Sequence, residues 1–385
     1  MTAVKVTARG AERWKQGHPW IYRSDVAEEP DKTPGIVSVT DRKGKFLGQA
    51  LYSPKSEIRL RLLTRGPEPI DSTWWTKHIG DAAERRTGIT VSAWRAVHGE
   101  GDGLPSLIVD KYGPYIVAQL LSAGLETARE DVLTAIREVF GPEGVLLRND
   151  AGVRRHEGLA EEVVLAWGEV PQTVEVVEDS LKYLAAPWSG QKTGAFLDQR
   201  ENRIMVGEHT KPGGRALDLF TYHGSFALHV ARNAKTVLAI DQSAEALARG
   251  AENARLNGLT NIEWREANAF DFLREQERRR EQFDTIVLDP PAFAKNKASL
   301  PRAISGYKEV NLRAMKILAP GGVLFTSSCS YHVSRDIFMA MLADAARDSG
   351  RRMQLIAATG AASDHPELLN VSETGYLKGV LLRAL

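Results

Sequence analysis

From residue 173 onward, short apolar runs alternate with longer amphipathic stretches. Each run is bounded by polar or turn-forming residues, which is typical of a buried strand. The runs are RALDLF, TVLAID, NIEWREAN, DTIVLDPP and GVLFTSS. Helix patterns such as AEALARGAENARLNG and YKEVNLRAMKIL lie between them. This alternation predicts an α/β fold with a doubly wound sheet of about seven strands.

Residues 1–70 carry a different pattern, in which apolar and polar positions alternate over short runs separated by Gly, Pro, Asp and Ser. The runs are GIVSVTD, KFLGQALYS and SEIRLRLLT. They predict a small β-rich domain. In the last run, a period of two places Arg59 and Arg61 together on one face of the strand.

Residues 71–172 predict a middle α+β domain without a catalytic constellation. STWWTKHIGDAAERRTG and ETAREDVLTAIREVFG fit helices, and LPSLIVDKYGPYIVAQLLS fits a hairpin that turns at residues 111–114. VLLRND and EVVLAWG fit further strands. We expect His98, Asp102 and Asp110 to be turn or surface residues. The predicted domains are therefore 1–70, 71–172 and 173–385.

Composition limits the class of protein. The chain has 385 residues, of which 43% are hydrophobic and 26% charged, as in soluble globular proteins. No apolar run approaches the roughly 18 residues of a membrane span, and residues 1–15 lack the apolar core of a signal peptide. We expect a cytoplasmic protein. The single cysteine excludes a disulfide framework and a Cys-rich zinc site, and the spacing of the nine histidines supports no metal centre.

Charge is concentrated at the N-terminal end. Residues 1–65 hold 13 Lys or Arg and 7 Asp or Glu, a balance of +6, although the whole chain is only +1. Arg13 and Lys15 precede His18 and Trp20, and aromatic residues among cations favour an RNA-binding surface. With Arg59 and Arg61, these four are the RNA-binding candidates. A solvated charged surface, with Trp20 in the core, fits the same pattern.

The stretch IVLDPPAF predicts a buried strand that ends abruptly at two prolines. Neither proline can donate a ladder hydrogen bond, so the strand must stop at Asp289. In open parallel sheets, ligands bind outside the carboxyl ends of the strands. Asp289 is therefore a candidate catalytic residue that also borders a ligand site. An ordinary strand exit with a solvated aspartate is the alternative.

Two further strands end in polar residues, and the first strand ends in the loop DLFTYHGSF. Asp241 ends the second strand, where an acid can accept both hydroxyl groups of a ribose. Asn268 ends the third, where it could meet an adenine edge. The loop is not G-x-G-x-x-G, which argues against a dinucleotide. Taken singly, such a residue is often only a helix cap.

These motifs resemble known families. GHPWIYRSDV and GQALYSPKSEIRLRLL resemble a PUA domain, a small RNA-binding pseudo-barrel. D-L-F-x-Y-x-G-x-F, the second-strand acid and DPPAF are similar to class I S-adenosylmethionine-dependent methyltransferases. GQKTGAFLDQREN resembles the signature of bacterial 23S rRNA cytosine-5 methyltransferases with an N-terminal PUA domain, and the likeness extends to the LKG tail at residues 377–379.

The resemblance implies a cofactor, S-adenosylmethionine, and a partner, 23S rRNA. It further implies that four residues border the cofactor or its entrance: Phe196, Asp198, Gln199 and Arg200. It implies that the methionine side is lined by Asp218, Phe220 and Gly224. Asp241 then binds ribose and Asn268 lies near adenine, although many relatives carry aspartate there. His223 is expected to be a spacer or surface residue. A homodimer is compatible with the family, but no residue pattern indicates one.

Cys329 completes the predicted constellation. It follows the strand GVLFTSS, 40 residues after Asp289, at a neighbouring strand end. Cytosine carbon 5 is a poor nucleophile until a thiolate adds at carbon 6, and an acid near ring nitrogen 3 helps. We expect Cys329 to be that nucleophile and Asp289 that acid. No Lys or Arg is adjacent to Cys329 in sequence, so a charge that stabilises the thiolate must come from elsewhere.

Two other functions fit parts of the pattern. Related catalytic domains with DPP motifs modify guanine without a nucleophilic cysteine, and a lone cysteine is often a small buried hydrophobe. An RNA-binding assembly factor without catalysis is a third possibility. The joint presence of Asp241, Asp289 and Cys329 argues against it.

Overall fold

The computed structural model describes residues 3–29, 32–294 and 296–385. They form two compact units. The first unit contains the chain up to Val176 together with Ala185–Leu197 and Asp364–Thr374. The second unit contains Val177–Leu184, Asp198–Ser363 and Gly375–Leu385.

The first unit begins with a mixed β-sheet and one helix. Among the described residues, its elements are β1 (Ala3–Val6), α1 (Ala8–Lys15), β2 (Trp20–Tyr22), β3 (Val26–Glu28), β4 (Gly35–Thr40), β5 (Phe46–Tyr52) and β6 (Ile58–Thr64). The strand order is β2-β6-β5-β4-β1-β3. Val37 and Val39 of β4 point into a core that also holds Trp14, as the alternating pattern predicts. The three strands predicted in this region are confirmed.

A second sheet follows in the same unit. Its described elements are α2 (Ser72–Glu84), β7 (Ala93–His98), β8 (Leu107–Tyr112), β9 (Tyr115–Leu120), α3 (Ala123–Glu126), α4 (Arg129–Phe140), β10 (Gly144–Asn149), α5 (Val153–Glu157) and β11 (Glu162–Gly168). The strand order is β11-β10-β9-β8-β7. The predicted helices and the hairpin β8–β9 are confirmed, whereas β7 was not predicted.

The strand β7 explains why one expectation was wrong. Arg95 of β7 lies opposite Asp110 of β8, and its guanidinium donates to both carboxylate oxygens at 2.7 and 2.8 Å. Asp110 is fully buried rather than at the surface, and His98, at the end of β7, is buried as well. Asp102 lies in the short 3-10 turn that follows β7, as expected. A buried carboxylate requires such a partner, and the partner comes from the strand that the pattern missed.

A hairpin and a strand–helix alternation complete the chain. The hairpin is β12 (Val174–Glu178) and β13 (Leu181–Ala185). The alternation comprises α6 (Arg200–His209), β14 (Arg215–Leu219), α7 (Ser225–Ala231), β15 (Thr236–Asp241), α8 (Ala244–Leu256), β16 (Ile262–Glu266), α9 (Ala269–Arg279), β17 (Phe283–Leu288), α10 (Leu300–Lys316), β18 (Leu318–Ser328), α11 (Arg335–Ser349), β19 (Met353–Thr359) and β20 (Lys378–Ala384). Across the described residues, no helix is long and apolar enough to cross a membrane.

The strands of the second unit confirm the doubly wound sheet. Over the described residues, its order is β16-β15-β14-β17-β18-β20-β19. β14 to β18 are parallel, and β20 runs antiparallel to both of its neighbours. The chain winds outward from β14 to β16 and then returns to the other side of β14 at β17. This reversal is a topological switch point, where ligands bind in such sheets.

Successive residues of the central strands point to opposite faces of this sheet. Leu217 and Ile286 join one apolar cluster with Tyr307 of α10. Their neighbours along the strands, Ala216 and Val287, join the cluster on the other face. Both faces are therefore covered, as a parallel sheet requires, and the carboxyl ends of the strands remain available for polar residues.

Candidate active site

The loop after β14 is built from unusual backbone geometry. Phe220 and Tyr222 have φ angles of 64° and 52°, in the left-handed region that side chains other than glycine rarely adopt. Gly224 follows with a φ of 82° and opens α7. Two such residues in one short loop store strain, which clusters at binding and catalytic sites.

Asp218 lies beneath this loop at the end of β14. It is only 1% exposed, and the hydroxyl of Thr221 donates to its Oδ2 at 2.5 Å. Its Oδ1 is buried and makes no well-formed hydrogen bond among the described residues. Burial raises the pKa of this carboxyl group to about 7. The Thr221 hydrogen bond opposes that rise, whereas the nearby charges of Asp289 and Asp241 add to it.

Asp241 ends β15, and its carboxylate accepts backbone N–H groups from two loops, the one after β14 and the one after β15 itself. Its Oδ2 accepts the N–H of Tyr222 at 2.9 Å, and its Oδ1 accepts the N–H of Ser243 at 3.0 Å. Each carboxylate oxygen has two lone pairs, so acceptor capacity remains for a ligand hydroxyl. The residue that the strand pattern assigns to ribose therefore also holds the strained loop in place.

Asn268 serves as a helix cap. Its side-chain oxygen accepts the N–H groups of Phe270 and Asp271 at 2.9 and 3.2 Å, at the start of α9. Its side chain is exposed. The alternative weighed for strand-end residues, that of a cap, is what the structure shows for Asn268, and its contact with adenine stays a prediction.

Asp289 directly follows β17 and is held from two directions. Gln199 donates its Nε2 to the Oδ1 of Asp289 at 2.8 Å, and the hydroxyl of Ser327 donates to the same oxygen. Gln199 is itself fixed by Asn202, whose Nδ2 donates to its Oε1 at 2.6 Å. The segment containing Gln199 and the end of β18 therefore meet at one carboxylate.

Cys329 lies directly after β18, two residues beyond the hydroxyl that contacts Asp289. The ladder pairs Leu288 with Thr326, so Asp289 and Ser327 are the next residues on the two strands. Cys329 is partly exposed, in contrast to the fully buried serines on either side of it. A partly exposed thiol, two residues beyond the serine that hydrogen-bonds the partly buried Asp289, is consistent with the predicted nucleophile and acid.

The loop after Cys329 is anchored by three groups. The hydroxyl of Ser330 lies 2.9 Å from the Oη of Tyr307 and accepts the N–H of Ala294 at 3.2 Å. Its carbonyl accepts the Nζ of Lys378 at 2.8 Å. Burial raises the pKa of Tyr307, and the nearby Cys329 adds to that rise. Neither was predicted as a site residue: Tyr307 lies outside the motifs, and Lys378 belongs to the LKG tail, to which the sequence assigned no role.

Aromatic rings lie beside these polar groups. Phe293 packs against Tyr307, Phe270 and Phe220, with ring centroids 4.5, 5.9 and 6.4 Å apart. In the sequence, Phe293 stands out only as the end of the DPPAF motif. The rings provide flat apolar surface on which a planar base can stack.

The four residues around the GQKTGAFLDQREN motif have different surroundings. Asp198 is buried, and its Oδ2 accepts the hydroxyl of Tyr376 at 2.6 Å. Arg200 is buried, with its Nη2 3.4 Å from Glu201. Phe196 belongs to the first unit, where the ammonium of Lys192 lies 4.7 Å from its ring centroid. Gln199 is the member of this motif whose side chain donates to Oδ1 of Asp289 at 2.8 Å.

His223 is not a surface residue. It is 2% exposed and stacks on Tyr183 with ring centroids 5.5 Å apart. Burial lowers its pKa to about 3, so the imidazole is neutral at pH 7. The expectation of a surface residue is therefore wrong, and the expectation of a spacer stays a prediction.

Among the RNA-binding candidates, Lys15 is the most accessible, with 79% of its side chain exposed. The guanidinium of Arg13 lies 4.9 Å from the ring centroid of Tyr22. His18 and Trp20 are partly buried. The Nε1 of Trp20 donates to Glu100 at 2.9 Å, and the Nε2 of His18 is 3.5 Å from Glu373.

Arg59 and Arg61 are buried in the fold rather than exposed to solvent. They are 7% and 4% exposed. Arg59 pairs with Glu29 at 2.6 Å, and Arg61 pairs with Glu157 at 2.8 Å. A period of two correctly assigns both to one face of β6, but that face is covered by other parts of the unit. Their charges are neutralised within the fold, which leaves them little capacity for phosphate.

Two family models match the chain. A PUA-like domain matches residues 4–65, and an S-adenosylmethionine-dependent methyltransferase matches residues 153–383. The second match spans more than half of the chain and includes every strand of the doubly wound sheet.

Curated relatives match over nearly the full length. A protein named ribosomal RNA large subunit methyltransferase I from Tolumonas auensis is 38% identical over 380 residues, which is 96% of each chain. A protein of the same name from Aeromonas hydrophila subsp. hydrophila is 38% identical over 398 residues and covers 100% of each.

Solved structures share the fold. A putative S-adenosylmethionine-dependent methyltransferase from Streptococcus mutans has a TM-score of 0.85 at 19% identity, with 100% of each chain covered. A putative methyltransferase complexed with SAH has a TM-score of 0.86 at 20% identity, again over 100% of each chain.

Proposed function

Because this chain belongs to the family of S-adenosylmethionine-dependent methyltransferases, we propose that it methylates carbon 5 of a cytosine in large-subunit (23S) ribosomal RNA. The RNA class follows from the names of the relatives that match the whole chain. One observation supports the choice of base above all others. The hydrogen bond from Ser327 to Asp289 brings the loop of Cys329 next to a candidate acid.

The strand ends fit the cofactor. Asp218 has a buried oxygen without a well-formed hydrogen bond, as expected of a site that a polar ligand completes. We assign Asp218, Phe220 and Gly224 to the methionine side, Asp241 to the ribose, and Asn268 to the adenine. Bound S-adenosylmethionine supplies an electrophilic methyl group on a positively charged sulfur.

Cys329 supplies the nucleophile for the base. Its thiolate adds to carbon 6 of the cytosine, and the electrons of the carbon 5–carbon 6 double bond become available at carbon 5. Asp289, in its acid form, donates a proton or hydrogen bond to ring nitrogen 3, which accepts the displaced electron density. Carbon 5 then forms a bond to the methyl carbon as the sulfur–methyl bond breaks, and the sulfur keeps the bonding electrons as the neutral thioether of S-adenosylhomocysteine. A base removes the proton from carbon 5, the carbon 5–carbon 6 double bond re-forms, and the thiolate leaves carbon 6.

The RNA is held mainly through residues 1–70, the predicted PUA-like domain. Residues 71–172 connect this segment to the catalytic domain at 173–385. The +6 balance of residues 1–65 and the PUA-like match support this division of roles.

The covalent step is tested by trapping. We expect ribosomal RNA that carries 5-fluorocytosine to form an adduct that survives a denaturing gel, because fluorine cannot leave carbon 5 as a proton does. Cys329→Ala and Cys329→Ser should form no adduct and lose methylation, yet both should bind S-adenosylmethionine as the wild type does. Retained carbon 5 methylation in either variant would contradict the mechanism.

The same experiment separates the competing functions. Methylated guanine without an adduct would identify a guanine methyltransferase. Absence of cofactor binding and of methyl transfer in the wild type would identify a non-catalytic RNA-binding factor.

A further inference from the structure

We propose that the buried ammonium group of Lys378 stabilises the thiolate of Cys329, which makes Lys378 a positioning residue for the reaction. The inference rests on the proposed role of Cys329 as nucleophile. It supplies the positive charge that the sequence around Cys329 lacks.

The antiparallel pairing of β18 and β20 places Lys378 beside the nucleophile's loop. Lys378 lies opposite Ser328 in the ladder, one residue before Cys329. Its Nζ donates to the carbonyl of Ser330, one residue after Cys329, at 2.8 Å, and to the carbonyl of Tyr376 at the same distance. The ammonium is thus bound to the backbone that immediately flanks the thiol.

The burial of Lys378 strengthens the electrostatic interaction of its ammonium group with neighbouring groups. The residue is only 4% exposed, so water screens the ammonium poorly. The two carbonyl oxygens that accept its hydrogen bonds carry no net charge of their own. A cation in such a position lowers the pKa of a neighbouring thiol, because it favours the charged form of that thiol.

Other titratable groups surround the same loop. Asp289 is held by Gln199 and Ser327, and before it takes up the proton that it later donates, its ionised carboxylate disfavours a second negative charge on Cys329. The phenol of Tyr307 stays neutral at pH 7, because burial raises its pKa. His332 follows three residues after Cys329, and Asp198 is bonded to Tyr376. Lys378 therefore opposes the effect of Asp289, so that the acid and the thiolate can coexist at adjacent strand ends.

A purely mechanical role for Lys378 is the competing explanation. In that case the ammonium would only tie the loop at Ser330 to the strand end at Tyr376. Such a tie would affect stability and loop position, but it would not require the thiol to ionise more readily than an ordinary cysteine.

The single cysteine of the chain allows a direct test. In the full-length protein without RNA, every thiol alkylated by iodoacetamide is that of Cys329. We expect the rate in the wild type to rise with pH through a midpoint below the usual thiol pKa of about 8.5. Lys378→Met should raise that midpoint by about one pH unit or more, the usual effect of removing a close opposite charge. Lys378→Arg should keep it low.

A surface lysine provides the control. Lys316 lies in the same unit and forms an exposed pair with Glu277, so Lys316→Met should leave the midpoint unchanged. A wild-type midpoint at or above about 8.5 would overturn the proposal even if no Lys378 variant folds. Equal midpoints in the wild type and Lys378→Met would also overturn it.

The test is independent of the proposed function. An adduct with 5-fluorocytosine together with an ordinary thiol midpoint would refute the role of Lys378 and leave the nucleophile in place. A low midpoint that depends on Lys378, without any adduct, would refute the nucleophile's role in methylation.

Discussion

Asp218 combines full burial with a carboxyl group whose pKa is raised to about 7. An ordinary aspartate in an unfolded chain titrates near 3.9. The folded state therefore binds a proton more tightly than the unfolded state. The resulting stabilisation is complete below the unfolded value and is lost as pH rises through about 7.

This sign gives a measurable pH dependence. We expect Asp218→Asn to remove the effect, so that the variant gains stability relative to the wild type between about pH 4 and 7, by at most about 1.4 kcal/mol per pH unit. Denaturant unfolding of the cofactor-free protein at a series of pH values measures the difference.

Asp284 provides a contrast with the opposite sign. Its pKa is lowered: burial opposes the shift, but hydrogen bonds from Lys211 and the Arg215 backbone outweigh it. Stability from Asp284 is therefore lost as pH falls, so Asp284→Asn should be most destabilising near neutral pH.

For Asp218, the contradicting outcome is a difference in the free energy of unfolding between wild type and Asp218→Asn that stays constant across the pH range. Such a result would show that Asp218 has an ordinary pKa.

At the scale of elements, the junction between β14 and α7 depends on a residue without a side chain. Gly224 has a positive φ, and a Cβ there would overlap the indole ring of Trp264. We expect Gly224→Ala to lower the free energy of unfolding and to weaken S-adenosylmethionine binding, because α7 must shift away from β16.

A second glycine, Gly258, allows the two contributions to this loss of stability, backbone strain and overpacking, to be measured separately. Its φ of 64° is similar, but a Cβ there would meet no atom within 4 Å. Gly258→Ala therefore measures conformational strain alone, and Gly224→Ala should cost about 1–3 kcal/mol more through overpacking. Equal effects in thermal or denaturant unfolding would mean that the ring of Trp264 moves aside freely.

The sequence predicts secondary-structure elements better than it predicts the long-range contacts between them. Apolar runs that end in Asp218, Asp241 and Asp289 are local signals, and the parallel sheet brings them to one edge as expected. Lys378 and Ser330 are 48 residues apart, and they meet only because β20 inserts antiparallel beside β18. No local pattern contains that pairing.

The enclosed arginines of β6 illustrate the same limit. A period of two shows which residues share a face, but whether that face meets water depends on the rest of the fold. Glu157, the partner of Arg61, lies 96 residues away in sequence.

At the scale of the whole molecule, the basic N-terminal segment is the predicted contact with RNA. Removing residues 1–70 would not test this cleanly, because Leu51 packs into the same apolar core as Trp75 and Val97. Substitutions of exposed lysines leave that core intact.

Lys15, Lys43 and Lys45 are exposed, and the last two lie in a turn held by the carboxylate of Asp41. We expect the triple alanine variant to weaken binding to ribosomal RNA and to reduce the slope of log affinity against log salt. The reduction should be about 0.7–0.9 for each phosphate that the variant no longer neutralises, because fewer counterions are released. Filter binding across a salt series measures it.

An equal charge change elsewhere serves as the control. Alanine at the exposed arginines 278–280 also removes three positive charges, but from the second unit. If both variants change the slope equally, the protein's overall charge rather than the N-terminal segment attracts the RNA.

The position of β20 has a consequence for how the protein emerges from the ribosome. This strand lies between β18 and β19, so every other strand of its sheet is translated before it. Until residues 378–384 emerge, a nascent chain has an open gap in its catalytic sheet and no Lys378 beside Cys329. The edges of β18 and β19 that β20 joins therefore stay unpaired until β20 has been synthesised, and the sheet that carries the candidate site is complete only then.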